Sequence, residues 1–159
     1  MGTEAHPSLS EIFKNWRAED RDLESRLDEV RDWMREVSQL GIPHFGETAT
    51  RLRPLREALV RHFKREDALI AQLARSYPSP SPEINAVRSQ SAYDHDLLLS
   101  RLDDLTQRLD EPEPPFTSWQ LAMDEIELFV VALEQHEEQE AESIKFLMPS
   151  EKADPGESS

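Results

Sequence analysis

No cysteine occurs anywhere in the 159 residues. Disulfides, thiolate metal sites, iron–sulfur clusters and cysteine nucleophiles are therefore excluded together, and any metal must sit on nitrogen and oxygen. Glycine is scarce, with four in the chain, and runs of β-branched residues are few, which argues against a sheet. Basic residues are outnumbered, 18 Lys and Arg against 33 Asp and Glu, leaving a net charge of -15. Such a field repels nucleic acid phosphates and anionic membrane surfaces, so neither is an expected partner. No apolar run approaches the length of a membrane span, and residues 1–10 lack a basic stretch followed by an apolar one. The expectation is a soluble cytoplasmic protein with one core, since the length is too short for two ordinary domains.

What the chain has in abundance is leucine, glutamate, arginine and aspartate at alternating steps of three and four, the period of helices packed in a bundle. Four such seams can be traced. The first runs Leu9, Phe13, Trp16, Asp20, Leu23, Leu27, Val30, Met34, Val37, and the second Leu52, Leu55, Leu59, His62, Glu66, Leu69, Leu73. The third runs His95, Leu98, Leu102, Leu105, Leu109, and the fourth Ala122, Ile126, Phe129, Leu133, His136, Glu140, Ser143, Leu147. Breaks separate them. The first helix is predicted to start with Ser8 or Ser10 as N-cap and to end before Gly41-Ile42-Pro43; the second begins between Thr48 and Pro54 and reaches about Tyr77. Pro54 either opens that helix or kinks its first turns. Pro78 through Pro82 forms a stiff connection to a third helix that starts between Glu83 and Ser89 and ends at Leu109. Pro112 through Pro115 leads to Thr117 or Ser118 as the cap of a fourth helix running to about Met148. The predicted fold is all-α, an up-down-up-down antiparallel four-helix bundle over residues 8–149, with a flexible leader at 1–7 and a disordered tail at 150–159.

Each seam is interrupted by polar residues: Asp20, then His62 and Glu66, then His95, then His136 and Glu140. Burying bare carboxylates and imidazoles costs several kcal/mol, roughly the transfer penalty of unpaired polar groups, unless something satisfies them. A bound metal would do so. In an up-down-up-down bundle, odd helices start at the end where even helices finish. Counting about 1.5 Å per residue from those ends places all four interruptions roughly 9 to 18 Å from the same end. Each His-x-x-x-Glu pair also points a nitrogen and a carboxylate along one helix face. Taken singly the residues have plainer readings: His95 as a hydrogen-bonded core histidine, Asp20 as an ion-pair partner of Arg17 or Arg21 or as a solvent-facing residue. Their common level favours a shared metal site. His44 falls at the opposite end of the bundle and His6 in the leader. Glu137, Glu138 and Glu142 read as a solvated face of the fourth helix, with Glu137 the one placed to act as an outer partner of the site.

His62-Phe63-Lys64-Arg65-Glu66, Tyr93-Asp94-His95-Asp96-Leu97 and His136-Glu137-Glu138-Gln139-Glu140 resemble the motifs of hemerythrin-like (HHE cation-binding) domains, and the resemblance spans about Ser10 to Met148. It implies a four-helix bundle holding two non-haem iron ions, with Glu66 and Glu140 bridging and His62, His95 and His136 as terminal ligands. Two departures stand out. Asp20 occupies the place of the family's first-helix histidine, and Leu99 occupies i+4 from His95, where oxygen-carrying members have a second histidine. A carboxylate in place of imidazole stabilises the oxidised metal pair and works against reversible oxygen carriage.

The resulting expectation is a di-iron protein that senses or handles oxygen, peroxide, nitric oxide or iron, with a small diatomic ligand or peroxide as its partner molecule and no protein partner indicated. Zinc or manganese would suit the same donors. Two alternatives remain: a carboxylate-rich di-iron oxidase or peroxidase, and a metal-free or zinc-binding bundle acting as an interaction module.

Overall fold

The computed structural model describes residues 8–41, 43–76 and 81–148, so the expected leader, the expected tail and residues 77–80 of the proline-rich connection lie outside the described residues. Four helices follow one another: α1 (Leu9–Leu40), α2 (Phe45–Arg75), α3 (Pro82–Leu109) and α4 (Trp119–Leu147). Their polar cross-ties fix an antiparallel register. Arg53 and Arg56 of α2 reach Asp110, which caps the end of α3, and Asp103 within it, so one helix descends as the other rises. Arg108 near the end of α3 pairs with Glu125 early in α4, and Trp33 late in α1 donates to Thr48 early in α2. Arg31 of α1 closes the square by pairing with Glu127 and Glu134 of α4.

The helix ends carry local reasons. Ser8 accepts a hydrogen bond from the Glu11 amide at 3.1 Å, which selects it over Ser10 as the cap of α1. Gly41 ends that helix in the left-handed conformation at φ 71°, where a side chain would be strained. Ser81 caps α3 with Pro82 in its first turn, one residue ahead of the predicted window, and Ser118 caps α4. The larger correction concerns α2, which starts at Phe45, ahead of the predicted Thr48–Pro54 window, and keeps Pro54 in its interior. Aromatic packing explains it. Phe45 stacks on Phe116 and meets Trp119 edge-on, while Thr48 and Ala49 are fully buried. That burial offsets a backbone defect that costs about 3 kcal/mol in an exposed helix.

The seams form the interior with one drift. Ser143 was expected on the fourth seam, yet Ile144 is the fully buried residue and Ser143 is only half-buried. A straight helix turns at 3.6 residues and slips off a 3.5-residue repeat within a few turns. The apolar interior falls into two separate clusters. The larger includes Leu27, Leu52, Leu59, Leu102, Phe129 and Leu133; the smaller comprises Trp16, Leu69, Ile70, Leu73, Ile84, Ile144 and Leu147. Between them in sequence, on all four helices, lie buried polar residues. Among the described residues no helix is long and apolar enough to cross a membrane.

Candidate metal centre

The polar layer is assembled from every helix. α1 supplies Asp20, α2 supplies His62 and Glu66, α3 supplies Ser91 and His95, and α4 supplies His136, Glu137 and Glu140, all buried. Aromatic rings hold the imidazoles from both sides. Phe63 lies flat on His95 with ring centroids 3.9 Å apart, and Trp16 of the smaller cluster stacks against His62.

The donor atoms form two clusters, one of Glu66, His95, His136 and Glu140 and one of Asp20, His62 and Glu137, each with its atoms within 4.8 Å of one another. Glu66, with no exposed surface, joins them. Its Oε1 lies 2.8 Å from His95 Nε2 and 3.7 Å from His136 Nε2, while its Oε2 lies 2.7 Å from His62 Nε2. Glu137 also spans the two, with Oε1 hydrogen-bonded to His62 and Oε2 3.8 Å from His136 Nε2. Glu140 is more local: Oε2 is 3.2 Å from His136 Nε2, and Oε1 accepts a 2.6 Å hydrogen bond from Ser91. The far ring nitrogens face outer carboxylates, His95 Nδ1 at 3.2 Å from Asp67 and His136 Nδ1 at 3.3 Å from Asp94. This arrangement fixes which nitrogen points inward.

All six residues singled out from sequence therefore converge, and His44 sits apart beside Trp33 and Glu47. One expectation is corrected. Glu137 does not lie on the solvated face with Glu138 and Glu142; it is 6 % exposed and belongs to the layer. It follows His136 by one 100° step, and Asp20 of α1 and His62 of α2 occupy the side to which that step turns it. The α3 residue one turn from His95 that faces the layer is Ser91, at i−4, whereas Leu99 packs against the larger apolar cluster. Sequence reading missed Ser91, Asp67 and Asp94, although each lies one or four positions from a seam residue.

The charges are strongly coupled. Burial would raise the Glu66 carboxyl, but the three imidazoles around it hold it well below the ordinary carboxylate value. Burial pushes Glu137 up to about 10, with the Glu66 charge adding to the shift. Burial alone would lower His62, yet its bonds to Glu137 and Glu66 outweigh it and raise it to about 10. The hydrogen-bonded His62–Glu137 pair thus holds a proton in the folded state that the separated groups of the unfolded chain, at 6.5 and 4.5, give up. Stability of the metal-free protein should therefore fall as pH rises from about 6.5 to about 10, where the native state binds more protons than the unfolded one. Glu66 acts in the opposite sense, contributing above 4.5 and losing its contribution in acid. Thermal melts in chelator across this range test the sign, and a melting temperature that climbs toward pH 10 contradicts it.

A cation fits this layer. Asp20 Oδ1 and Glu137 Oε2 are buried without a hydrogen-bond partner, while Glu66 Oε2 and His136 Nε2 have only ion-pair approaches, to His62 and Glu140. Each orphaned oxygen costs about 1–3 kcal/mol, which a bound cation would relieve. Three imidazoles with four carboxylates form a nitrogen and oxygen set suited to iron, zinc or manganese. No curated protein and no solved structure matches the chain. The family description "Hemerythrin HHE cation binding domain" matches residues 11–145, which takes in all but the outermost residues of the four helices and the whole polar layer. The chain belongs to the hemerythrin HHE cation-binding family.

Proposed function

We propose that this chain binds a non-haem di-iron centre and uses it to sense or handle oxygen, peroxide, nitric oxide or iron. The observation that carries the reading is Glu66, whose two oxygens face two separate donor clusters and so can serve two cations at once. Glu66, His95, His136 and Glu140 would hold one ion; Asp20, His62 and Glu137 would hold the other, sharing Glu66. The resemblance to known motifs implied Glu66 and Glu140 as the bridging pair. Glu137 faces imidazoles of both clusters, whereas Glu140 meets only His95 and His136 and accepts from Ser91.

When bound, iron would supply redox chemistry and an electrophilic site for a small oxygen- or nitrogen-containing ligand. The protein's own contribution is charge and enclosure. Four carboxylates against three imidazoles favour the oxidised ions, which points to sensing, iron handling or peroxide turnover over reversible oxygen carriage. The outer carboxylates Asp67 and Asp94 make His95 and His136 more basic donors, and the flanking apolar clusters exclude bulk water.

Elemental analysis with an optical spectrum of the native protein tests the reading. Iron bound by these donors absorbs in the near ultraviolet, whereas zinc, with a filled d shell, does not. Iron at both positions is expected, and Asp20→Ala should lose about half of it, because only the second cluster contains Asp20. Absence of iron after growth in iron-supplemented medium would overturn the assignment, and undiminished iron in Asp20→Ala would remove Asp20 from the donor set.

A further inference from the structure

The two donor clusters differ in their access to solvent. α1 and α4 close the bundle with the sparsest of its four lateral interfaces. A cavity of about 560 Å³ opens there. Phe13, Leu23, Leu27 and Ala141 form its apolar walls, and Asp20 and Glu137 lie at its base. Both base residues are more than nine-tenths buried, and each aims an oxygen without a hydrogen-bond partner, Asp20 Oδ1 and Glu137 Oε2. Asp20 Oδ2 is covered by the half-exposed Arg17 guanidinium at 3.0 Å. Around the mouth stand Glu24, Glu134, Glu138 and Glu142, with Lys145 as the other cation. Glu134 is tied to Arg31, which leaves Glu24, Glu138 and Glu142 to set the field at the opening.

A second, smaller cavity of about 200 Å³ reaches His62 between α1 and α2, and Asp22, Arg61 and Arg65 are among the residues that line it. Carboxylates outnumber basic side chains only in the lining of the larger opening. Neither is lined by Glu66, His95, His136 or Glu140.

We propose that the α1/α4 cleft is the admission route for divalent cations, and that the cluster of Asp20, His62 and Glu137 is the position that exchanges with solvent while the cluster of Glu66, His95, His136 and Glu140 is shielded. The inference rests on the dinuclear reading. An acidic funnel with apolar walls focuses cation density at its base and raises association rates. Arg17 acts as a removable cover, because an arriving cation takes over the countercharge that its guanidinium provides to Asp20.

The experiment uses the full chain and zinc(II) alone. Uptake is followed by stopped-flow competition with a metallochromic chelator, and release by excess chelator. Reversal of the three mouth charges (Glu24→Lys, Glu138→Lys, Glu142→Lys) should slow uptake about tenfold at low salt. The difference should shrink at about 1 M salt, where the screening length falls to about 3 Å. Final zinc content should be unchanged, because none of the three is a donor. The milder Glu→Gln triple variant should slow uptake in the same direction and guards against misfolding of the reversed one. Ala141→Trp, which fills the cleft, should slow only the faster of two release phases. Arg61→Glu at the other opening should leave uptake unchanged.

Unchanged uptake in the charge variants, or acceleration by Arg61→Glu, would overturn the route. A single release phase carrying both ions would overturn the assignment of one exchanging and one shielded position. Failure of the unaltered protein to bind zinc or iron at all would instead remove the dinuclear reading on which the inference stands.

Discussion

Replacing Glu66 with glutamine should empty both halves of the centre, the largest loss expected from any single substitution in this chain. Glu66 is the one carboxylate within 3 Å of imidazoles from both clusters, His95 on one side and His62 on the other. Glutamine preserves shape and burial but offers one neutral oxygen in place of two that share a negative charge. Loss of a partner outside the donor set costs about 10–100-fold in metal affinity, and loss of a shared donor should exceed that at both positions. Glu140→Gln is the informative contrast. Glu140 lies with His95 and His136 only, so its loss should weaken the first position and spare the second. Metal content after desalting, with calorimetric titration of the metal-free protein, separates the two variants. Full retention of both ions by Glu66→Gln would mean that the clusters are held together by something other than this carboxylate.

Removing metal from the intact protein should lower its melting temperature by about 10–20 °C. The expectation follows from linkage. A ligand at 100 times its dissociation constant stabilises the native state by about 2.7 kcal/mol, so two ions contribute about 5 kcal/mol. For a chain of this size each kcal/mol moves the transition by about 2–4 °C. Structure supplies the reason that the native state alone gains: the donors come from four different helices and lie far apart in the unfolded chain, while in the folded chain Asp20 Oδ1 and Glu137 Oε2 have no hydrogen-bond partner. Scanning calorimetry with and without chelator measures the shift. Coincident transitions would show that the layer satisfies itself, and would favour the metal-free interaction module over the di-iron reading.

Much of this architecture is written in the spacing of apolar residues. Four seams separated by proline-rich breaks specify four helices, and short connections specify their antiparallel order. The level at which Asp20, His62, Glu66, His95, His136 and Glu140 meet follows from rise per residue alone. What spacing does not carry is the angular detail. Glu137 belongs to the layer because α4 advances by 100° per residue and presents a face wider than a two-position seam, with Asp20 and His62 positioned to meet it. Ser91, small and polar, gives no periodic signal and is found only once the Glu140 carboxylate lies beside it. The early start of α2 depends on Phe45 finding Phe116 and Trp119, about 70 residues onward, a tertiary contact that no local rule contains.

The division of the apolar interior has a consequence for how the molecule opens. Among the described residues seven buried side chains form the smaller cluster against eighteen in the larger, and the connection between the two runs through groups that attract one another only when their charges are balanced. The end bearing Trp16, Ile84 and Leu147 is thus built as a separate foldon whose closure is coupled to the centre beneath it. Its amide protons should exchange on the timescale of local opening in the empty protein and on that of global unfolding once the charges are matched, turning occupancy into a change of rigidity at one pole.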